Sequence, residues 1–340
     1  MNAPLQIVST YHPTDMPWGG GNNFWRALLS QLSEQGDIVF RPLKDEPKEN
    51  PPHADIVFFN QVNSGPAENS RMYTIQDFQK IKQLYPRAKI VVRAINLRKH
   101  SRYKAKLPYF LDFPDRTKDN IVKYRVNTAD FVIYQSKYQK DFFEEFCGPT
   151  KDSDIIYNGA PLLFAEKGKQ APHRKLTPGQ PVRFLATSFS GNPSKRLGLI
   201  ARLSELPGVE VVHAGLWHEN VDKRKVKTLG TISHEEITNY MRDADYYLKL
   251  SENDICPNAL IEALAYGLPV IYDVDGGGAA EIGRPFGIAF DPANMNDMLD
   301  VARQRHQELA VKIAQNREQF LITYAANAYK NVFKKISGLT

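Results

Sequence analysis

The sequence of 340 residues contains few cysteines and no long apolar run. Two cysteines, Cys147 and Cys256, are too few for a disulfide framework or a four-ligand structural zinc site, so we expect a reducing, cytoplasmic setting. The most apolar stretch, 259–272, is interrupted by charge, glycine and proline, and it is shorter than the roughly 20 residues of a bilayer span. The amino terminus has no basic start and no cleavage site. We therefore expect a soluble chain without a signal peptide.

Two common nucleotide-binding motifs are also missing. The sequence contains neither a Gly-x-Gly-x-x-Gly fingerprint nor a Walker A loop, which argues against an ordinary dinucleotide or P-loop site. Hydrophobic residues at 42% and charged residues at 24% exclude a disordered or fibrous chain. The net charge of +6 suggests an anionic partner, but no nucleic-acid module accompanies it, so we expect no nucleic acid.

What the sequence does contain is a repeated alternation of apolar, β-branched runs with amphipathic segments, which indicates α/β architecture with parallel strands. Two such halves are separated by a polar, Pro/Gly-rich linker at 168–181 and followed by a long helical pattern at 296–336. The predicted strands of the first half are 6–10, 38–41, 55–59, 89–94, 131–134 and 155–157. Those of the second half are 182–186, 209–214, 227–229, 246–249, 269–272 and 287–290.

Ligands of open α/β sheets bind at the carboxyl ends of the strands, so the loops there are the candidate sites. The first loop, 17–23, has three glycines before a helix that begins near Phe24, a pattern that suits close approach to an anion. A tight turn without a ligand explains it equally well. The second loop, 187–198, ends with Lys195 and Arg196, which could hold a diphosphate or form a solvated charge pair.

The third loop, 251–271, is the most informative. Pro257 suits a first helical turn, the residues after it favour a helix, and Gly267 ends that helix before a strand. Asp254 precedes the helix. Glu262 projects from a helix face that is otherwise apolar, where a carboxylate normally has a partner.

Here the sequence resembles the retaining GT-B glycosyltransferases, the family of sucrose synthases, bacterial glycogen synthases and phosphatidylinositol mannosyltransferases. The family signature is a pair of acidic residues separated by seven others, and Asp254 and Glu262 have that spacing. The residues in register around them are Pro257, Asn258, Ala263, Ala265, Gly267, Pro269 and Val270. Further similar segments are Gly19-Gly20, Asn158-Gly159, 229–233 and 277–281. The resemblance covers nearly the whole chain and is strongest over 182–291.

The resemblance implies two Rossmann-like domains that face each other across a cleft, with C-terminal helices crossing back to the first domain. Residues 1–165 would bind the acceptor, 166–318 would bind the nucleotide sugar, and 319–340 would pack on the first domain. The implied activity is retaining, metal-independent transfer of a sugar, from a UDP or GDP donor, to an acceptor hydroxyl in glycan or glycoconjugate synthesis. No separate cofactor is implied. The acceptor would be a glycan, a lipid-linked group or a protein.

The same resemblance assigns roles to individual residues. Glu262 would hold the ribose hydroxyls, and Asp254 would lie by the transferred sugar. Lys195, with Arg196, would neutralise the departing diphosphate, which makes Asp254, Lys195 and Glu262 the expected catalytic set. The remaining expected donor-binding residues are Gly19, Gly20, Ser190, Leu229, Thr231, Pro257, Asn258, Ala259 and Leu260.

The sequence departs from the family pattern at three places. Asp254 replaces the usual Glu, for which Glu252 could substitute, and no Arg stands at Ser188 or Ser190 before Lys195. Asn96 occupies the position of a family His. His100 follows four residues later, and with Asn96 and Arg98 it is a candidate for the acceptor side. These departures leave two alternatives open, a non-catalytic sugar-nucleotide-binding subunit and a GT-B sugar-nucleotide epimerase.

A basic stretch at 98–106 carries five Lys/Arg and no acid, and aromatic residues follow it at 109, 110 and 113. Basic residues beside exposed aromatics suit peripheral contact with an anionic membrane, which would be the inner face for a cytoplasmic enzyme. An anionic polysaccharide, or a solvated loop with its aromatics buried, fits the same pattern.

Overall fold

A computed structural model describes residues 3–11, 13, 20–34, 36–60, 73–100, 108–170, 176–177, 179–190 and 192–338. The chain divides into two compact units: unit 1 comprises Met1–Tyr157 and Ile322–Thr340, and unit 2 comprises Asn158–Leu321. The expected boundaries after residues 165 and 318 stay predictions; residue 165 lies within a helix of unit 2, Leu162–Gln170.

The strands of unit 1 are β1 (Leu5–Ser9), β2 (Ile38–Pro42), β3 (Ile56–Phe59), β4 (Lys89–Arg93), β5 (Phe131–Tyr134) and β6 (Ser153–Ile155). Those of unit 2 are β7 (Val182–Ser188), β8 (Val209–Gly215), β9 (Lys227–Gly230), β10 (Tyr246–Lys249), β11 (Val270–Tyr272) and β12 (Gly287–Ala289). The helices are α1 (Gly20–Glu34), α2 (Ile75–Leu84), α3 (Phe113–Thr128), α4 (Lys137–Cys147), α5 (Leu162–Gln170), α6 (Leu197–Leu203), α7 (His234–Asp243), α8 (Asn258–Tyr266), α9 (Gly278–Gly283), α10 (Met295–Gln315) and α11 (Ile322–Ser337).

The sheet of unit 1 has the order β2-β1-β3-β4-β5-β6, with all neighbours parallel. Helices cover both faces, which is why β3 and β5 are apolar at every position. One face buries Trp25, Phe58 and Tyr329 between α1 and α11, and the other buries Phe78 and Phe143 of α2 and α4. The predicted α/β alternation is therefore confirmed in this half.

One strand of unit 1 lies elsewhere than predicted. The sequence predicts a strand at 155–157 from the apolar residues there, whereas β6 is Ser153–Ile155, paired with Val132–Tyr134 of β5. β6 is the edge of the sheet, where one side of a strand faces solvent and polar residues are tolerated. The apolar run therefore marks the end of β6 and not its centre.

The sheet of unit 2 has the order β12-β11-β10-β7-β8-β9 and is also parallel throughout. From β7 the chain runs outward through β8 and β9, and then returns to place β10 on the other side of β7. The strand order thus reverses between β7 and β10. Such a switch point leaves a crevice at the carboxyl ends of the two strands, where α/β proteins bind ligands.

The predicted linker at 168–181 begins later than expected. Gly168 lies in α5 against the end of α8, where a Cβ would stand 1.7 Å from the carbonyl oxygen of Tyr266. Residues 168–170 are therefore packed helix, while 171–175 and 178 lie outside the described residues. The helical pattern at 296–336 is divided between α10 and α11 by a 3₁₀ turn at Arg317–Phe320. Within the described ranges, every helix is too short or too polar to cross a membrane.

Candidate functional site

The carboxyl ends of β7 and β10 place charged side chains at the switch point of unit 2. β7 leads through a short loop into a 3₁₀ turn, Pro193–Lys195, and β10 ends at Lys249 and leads into the loop that carries Asp254. The Nζ atom of Lys195 lies 3.8 Å from Oδ2 of Asp254. Two of the three expected catalytic residues are therefore brought together from separate loops.

The Asp254 loop is held by the loop that follows β11. Backbone N–H groups of Asn253 and Asp254 donate to the carbonyl oxygens of Asp275 and Gly276, at 3.2 and 3.1 Å. Asn253 adopts the left-handed region, with φ of 53°. The loops approach so closely that a Cβ on Gly278 would stand 1.9 Å from the carbonyl oxygen of Ile255. This contact explains the glycine at the second position of the Gly277-Gly278 segment.

Lys249 also lies at this site, although the sequence pattern did not lead us to predict it. Its Nζ atom lies 2.9 Å from Oδ2 of Asp254, closer than Lys195, and its side chain is only 7% exposed. A lysine is almost never buried unless it is paired. The available signal was a lysine that ends the otherwise apolar run of β10 at the carboxyl edge of a parallel sheet.

Burial and the neighbouring charges shift the pKa values of Asp254 and Lys195. Burial would raise the pKa of Asp254, but Lys249 and Lys195 outweigh it and hold that pKa below its ordinary value. The positive charge of Lys249, together with burial, lowers the pKa of Lys195 to about 8, although Asp254 acts in the opposite direction. Near neutral pH the cluster therefore combines two ammonium groups with one carboxylate.

Arg196 is held by a separate group of carboxylates. Its Nε donates to Oε1 of Glu252 at 2.7 Å, its Nη1 binds Asp273, and its Nη2 lies 3.9 Å from Asp275. Burial alone would lower the pKa of Arg196, yet Glu252 and Asp273 together raise it. Glu252, which could have substituted for Asp254, therefore forms an ion pair with Arg196 instead.

Glu262, the third expected catalytic residue, projects from α8. Its side chain is 13% exposed, and one carboxylate oxygen lies 3.8 Å from Nε2 of His234, the first residue of α7. Burial raises the pKa of Glu262, and His234 opposes that rise. A largely buried carboxylate that retains acceptor capacity among the described residues suits a ligand that presents hydroxyl groups.

The start of α8 offers backbone donors rather than side chains. Pro257 is the N-cap rather than the first helical residue, and no side chain caps this helix. The side chain of Asn158 fixes the entrance by donating to Oδ1 of Asn258 at 2.8 Å and to the carbonyl oxygen of Cys256 at 3.3 Å. Leu260 is fully buried, so its side chain contributes to the core. The family resemblance at Asn158-Gly159 therefore has a structural reason, because Asn158 holds the start of α8.

Ser188, one of the two positions that lack the family Arg, has a structural role. Its buried hydroxyl lies 3.1 Å from Nε2 of His213 and donates to the carbonyl oxygen of Leu216 at 3.1 Å. Burial lowers the pKa of His213 to about 4, so this histidine is neutral at pH 7. Among the described residues, no group of three or more His, Cys, Asp or Glu is arranged to hold a metal ion.

The other expected donor-site residues are distributed along the same edge of the sheet. Ser190 lies in the loop after β7, Leu229 is half-buried near the carboxyl end of β9, and Thr231 is exposed just beyond it. Ala259 lies in the first turn of α8. In unit 1, Gly20 begins α1, and Gly19 lies outside the described residues.

The expected acceptor-side residues lie on the loop after β4 in unit 1. Asp119 of α3 fixes this loop, because its carboxylate accepts from the backbone N–H groups of Arg98 and Lys99 at 2.6 and 2.8 Å. His100 stacks on Phe142 at 4.2 Å and bonds to Tyr138, and burial lowers its pKa. The side-chain oxygen of Asn96 is buried with no hydrogen-bond partner among the described residues.

Comparison with known proteins agrees with this geometry. Residues 216–318, which include Lys249, Asp254 and Glu262, match the family described as glycosyl transferases group 1. No curated protein sequence matches the chain significantly. Among solved structures, sucrose-phosphate synthase from Thermosynechococcus elongatus has a TM-score of 0.65 at 15% identity, covering 100% of both chains.

Two further structures are similar over nearly their whole length. HepE of Anabaena, in complex with UDP and glucose, has a TM-score of 0.62 at 14% identity, covering 98% of this chain and 100% of its own. WaaG, a glycosyltransferase of lipopolysaccharide biosynthesis, has a TM-score of 0.61 at 16% identity, covering 95% and 99%. The chain therefore has the α/β fold of the GT-B glycosyltransferases, built on two parallel six-stranded sheets.

Proposed function

We propose that the protein transfers a sugar, with retention, from a nucleoside diphosphate sugar of the UDP or GDP type to the hydroxyl of a glycan, lipid-linked or protein acceptor. One observation carries the proposal. Lys195, Asp254 and Glu262 extend from the carboxyl edge of the unit 2 sheet, and the latter two lie in a segment that matches a glycosyltransferase domain. The UDP and glucose bound by HepE support a donor of this class.

The chemistry follows from the charges. When the bond from the sugar to the diphosphate breaks, negative charge develops on the leaving phosphate. Lys195 would stabilise that charge, together with the backbone N–H groups at the start of α8. Glu262 would orient the donor through its ribose hydroxyls. The acceptor hydroxyl would then attack the face that the leaving group vacates and pass its proton to the departing phosphate oxygen, so that the sugar keeps its configuration.

A test begins with donor binding. Thermal denaturation is measured with UDP, GDP, ADP, CMP and dTDP sugars, for the wild type and for Glu262→Ala. A ligand at a hundredfold excess over its dissociation constant stabilises the fold by about 2.7 kcal/mol. We expect one nucleotide to stabilise the wild type and not the variant. No stabilisation by any of them would contradict the proposal.

Turnover separates the alternatives. Incubation of the stabilising donor with candidate acceptors, followed by NMR of the anomeric proton, should show a product of unchanged configuration. Conversion of the donor to an isomeric nucleotide sugar without an acceptor would identify an epimerase. Tight binding with neither reaction would identify a non-catalytic subunit.

We also propose that unit 1 makes peripheral contact with an anionic membrane from the cytoplasmic side. At the start of α3, the side chains of Phe110 and Phe113 are 68% and 70% exposed, and Leu111 between them is exposed too. Arg116 lies 5.5 Å from the ring of Phe113 and donates to the carbonyl oxygen of Phe110 at 2.9 Å. Aromatics with a cation beside them suit the boundary between headgroups and acyl chains. The basic residues at 101–107 lie outside the described residues.

A further inference from the structure

Asp254 lies between two lysines that come from different loops. Its Oδ2 atom is 2.9 Å from Nζ of Lys249 and 3.8 Å from Nζ of Lys195. Among the described residues, Asp254 is the carboxylate within 4 Å of either ammonium group. One carboxylate thus serves two cations, and it is bonded closely to the more deeply buried of the two.

The neighbouring carboxylates are directed at Arg196 and not at the two lysines. Glu252 and Asp273 bind Arg196, and Asp275, which is 74% exposed, lies 3.9 Å from it. Water screens an exposed charge strongly, whereas the buried lysines are screened little. The triad formed by Lys195, Lys249 and Asp254, hereafter the lysine triad, therefore carries a net charge of +1 from its own three side chains.

We propose that Lys195 and Lys249 form a two-lysine subsite for the diphosphate of the donor, in which Asp254 is an internal counter-ion that releases Lys195 when the diphosphate binds. The identity of the anion rests on the proposed function. Asp254 keeps its closer bond to Lys249. Lys195, the more exposed lysine, turns to the phosphate oxygens.

The energetics favour this exchange. Burial of two lysines beside one carboxylate is costly, because each ammonium group loses hydration and the two repel one another. The groups that face Lys195 are Lys249 and Asp254, and the net effect lowers its pKa to about 8. A bound anion would remove the repulsion and raise the pKa of Lys195 again. Above pH 8, where pyrophosphate itself also titrates, the wild type should therefore take up more protons on binding than a variant without Lys249.

The subsite also explains two departures from the family pattern. An Arg before Lys195 is missing, and Arg196 is occupied by carboxylates, so Lys249 supplies the second cation from the opposite strand. The first acidic residue is Asp rather than Glu. With this shorter side chain the carboxylate reaches Lys249 at 2.9 Å.

The experiment titrates inorganic pyrophosphate into the intact chain by calorimetry, for the wild type, Asp254→Asn, Lys249→Met and Lys223→Met. Asp254→Asn raises the net charge of the lysine triad, so affinity should rise roughly tenfold, and Lys249→Met should lower it by a similar factor. Lys223→Met removes an exposed lysine of the same unit and should leave affinity unchanged. Repeating the wild type at pH 8.5 in buffers of different ionisation enthalpy measures proton uptake.

Weaker binding by Asp254→Asn would overturn the proposal, because it would make Asp254 a positioning group and not a competing anion. Unchanged affinity in Lys249→Met, or proton uptake at pH 8.5 no greater in the wild type than in Lys249→Met measured in the same way, would overturn it as well. If Lys249→Met does not fold, the double variant Lys249→Met/Asp254→Asn removes both charges and should bind pyrophosphate about as well as the wild type. Loss of binding in that variant would contradict the charge argument.

Two different outcomes distinguish failure of the lysine subsite from failure of the proposed function. Pyrophosphate binding with the expected order of variants, but without any effect of nucleotide sugars, would leave the subsite standing and remove the proposed donor. Turnover of a nucleotide sugar, with the pyrophosphate affinities of the variants in a different order, would support the proposed donor and overturn the subsite.

Discussion

One carboxylate oxygen of Glu262 lies 3.8 Å from Nε2 of His234, across the gap between α8 and α7. Burial raises the pKa of Glu262, so the folded protein binds a proton at this carboxylate more tightly than the unfolded chain does. Stability from this residue is present at low pH and is lost as the pH rises through the raised pKa. At neutral pH, above the ordinary pKa of a glutamate, the burial of Glu262 therefore destabilises the unliganded protein, as expected of a residue retained for binding.

We expect Glu262→Gln to stabilise the unliganded protein at pH 7 by about 1 kcal/mol and to abolish nucleotide sugar binding. The advantage of the variant should shrink as the pH falls, because the wild-type carboxyl then becomes protonated as well. Thermal denaturation of both proteins between pH 4 and pH 8 measures the difference.

Glu236→Gln is the matched control on the same face of the fold. Hydrogen bonds from Ser233 lower the pKa of this exposed carboxyl, so its contribution to stability is lost as the pH falls, opposite in sign to Glu262. Nucleotide binding should be unaffected. A Glu262→Gln variant less stable than the wild type at pH 7 would show that the carboxylate has a structural partner.

The fold and part of the site could be predicted from the sequence, for different physical reasons. The strands buried on both faces, such as β3 and β5, produce continuous apolar runs, and the α8 region has both its helix formers and Gly267, which takes φ of 113° at the C-cap. Lys195 and Asp254 could be placed because parallel strands end at one edge.

The ion-pair partners of the charged residues at the site could not be predicted from the sequence. That Arg196 pairs with Asp273 and Lys249 with Asp254 depends on how loops after β7, β10 and β11 meet, and no local propensity encodes that meeting. The linker error has a similar cause. Glycine and lysine at 168–170 are typical of a loop, yet Gly168 is required by its approach to Tyr266.

The ion pairs of Arg196 with Glu252 and Asp273 should be a major source of stability for unit 2. We expect Arg196→Ala to destabilise the protein by about 3 kcal/mol, because the buried carboxylate of Asp273 loses its counter-charge and keeps only the hydrogen bond from the backbone N–H of Asp275. Chemical denaturation of the wild type and the variant measures the change. Asp273→Asn combined with Arg196→Ala should cost less than the sum of the single changes.

Arg224→Ala provides the control. Arg224 also has a left-handed backbone, with φ of 50° against 51° for Arg196, but its partner Glu205 is exposed. Its removal should change stability by no more than about 0.5 kcal/mol. Equal losses from the two arginines would mean that the backbone conformation, rather than the carboxylate cluster, determines the effect.

Gly278 should be essential for the shape of the Asp254 loop. A methyl group there would meet the carbonyl oxygen of Ile255, so we expect Gly278→Ala to cost about 3 kcal/mol and to weaken donor binding by shifting the segment that leads from Ile255 into the start of α8. Gly198→Ala, in α6, is the control because nothing lies within 4 Å of its Cβ. It should be neutral or stabilising by up to about 1 kcal/mol. Tolerance of alanine at 278, with unchanged donor affinity, would show that the two loops separate readily.

The exposed side chains of Phe110, Leu111 and Phe113 on unit 1 predict binding to lipid vesicles. We expect the wild type to sediment with vesicles that contain anionic phosphatidylglycerol, and Phe110→Ser/Phe113→Ser to reduce the partition coefficient at least about tenfold, since each ring contributes about 1.5 kcal/mol or more when it is buried in lipid. Phe189→Ser removes a 55% exposed ring of unit 2 and should change nothing. Binding should also weaken with salt, because cations attract the vesicle surface. Equal sedimentation of all three proteins would assign the exposed rings another purpose, such as contact with the acceptor, and the double variant's transfer activity toward soluble acceptors would then decide.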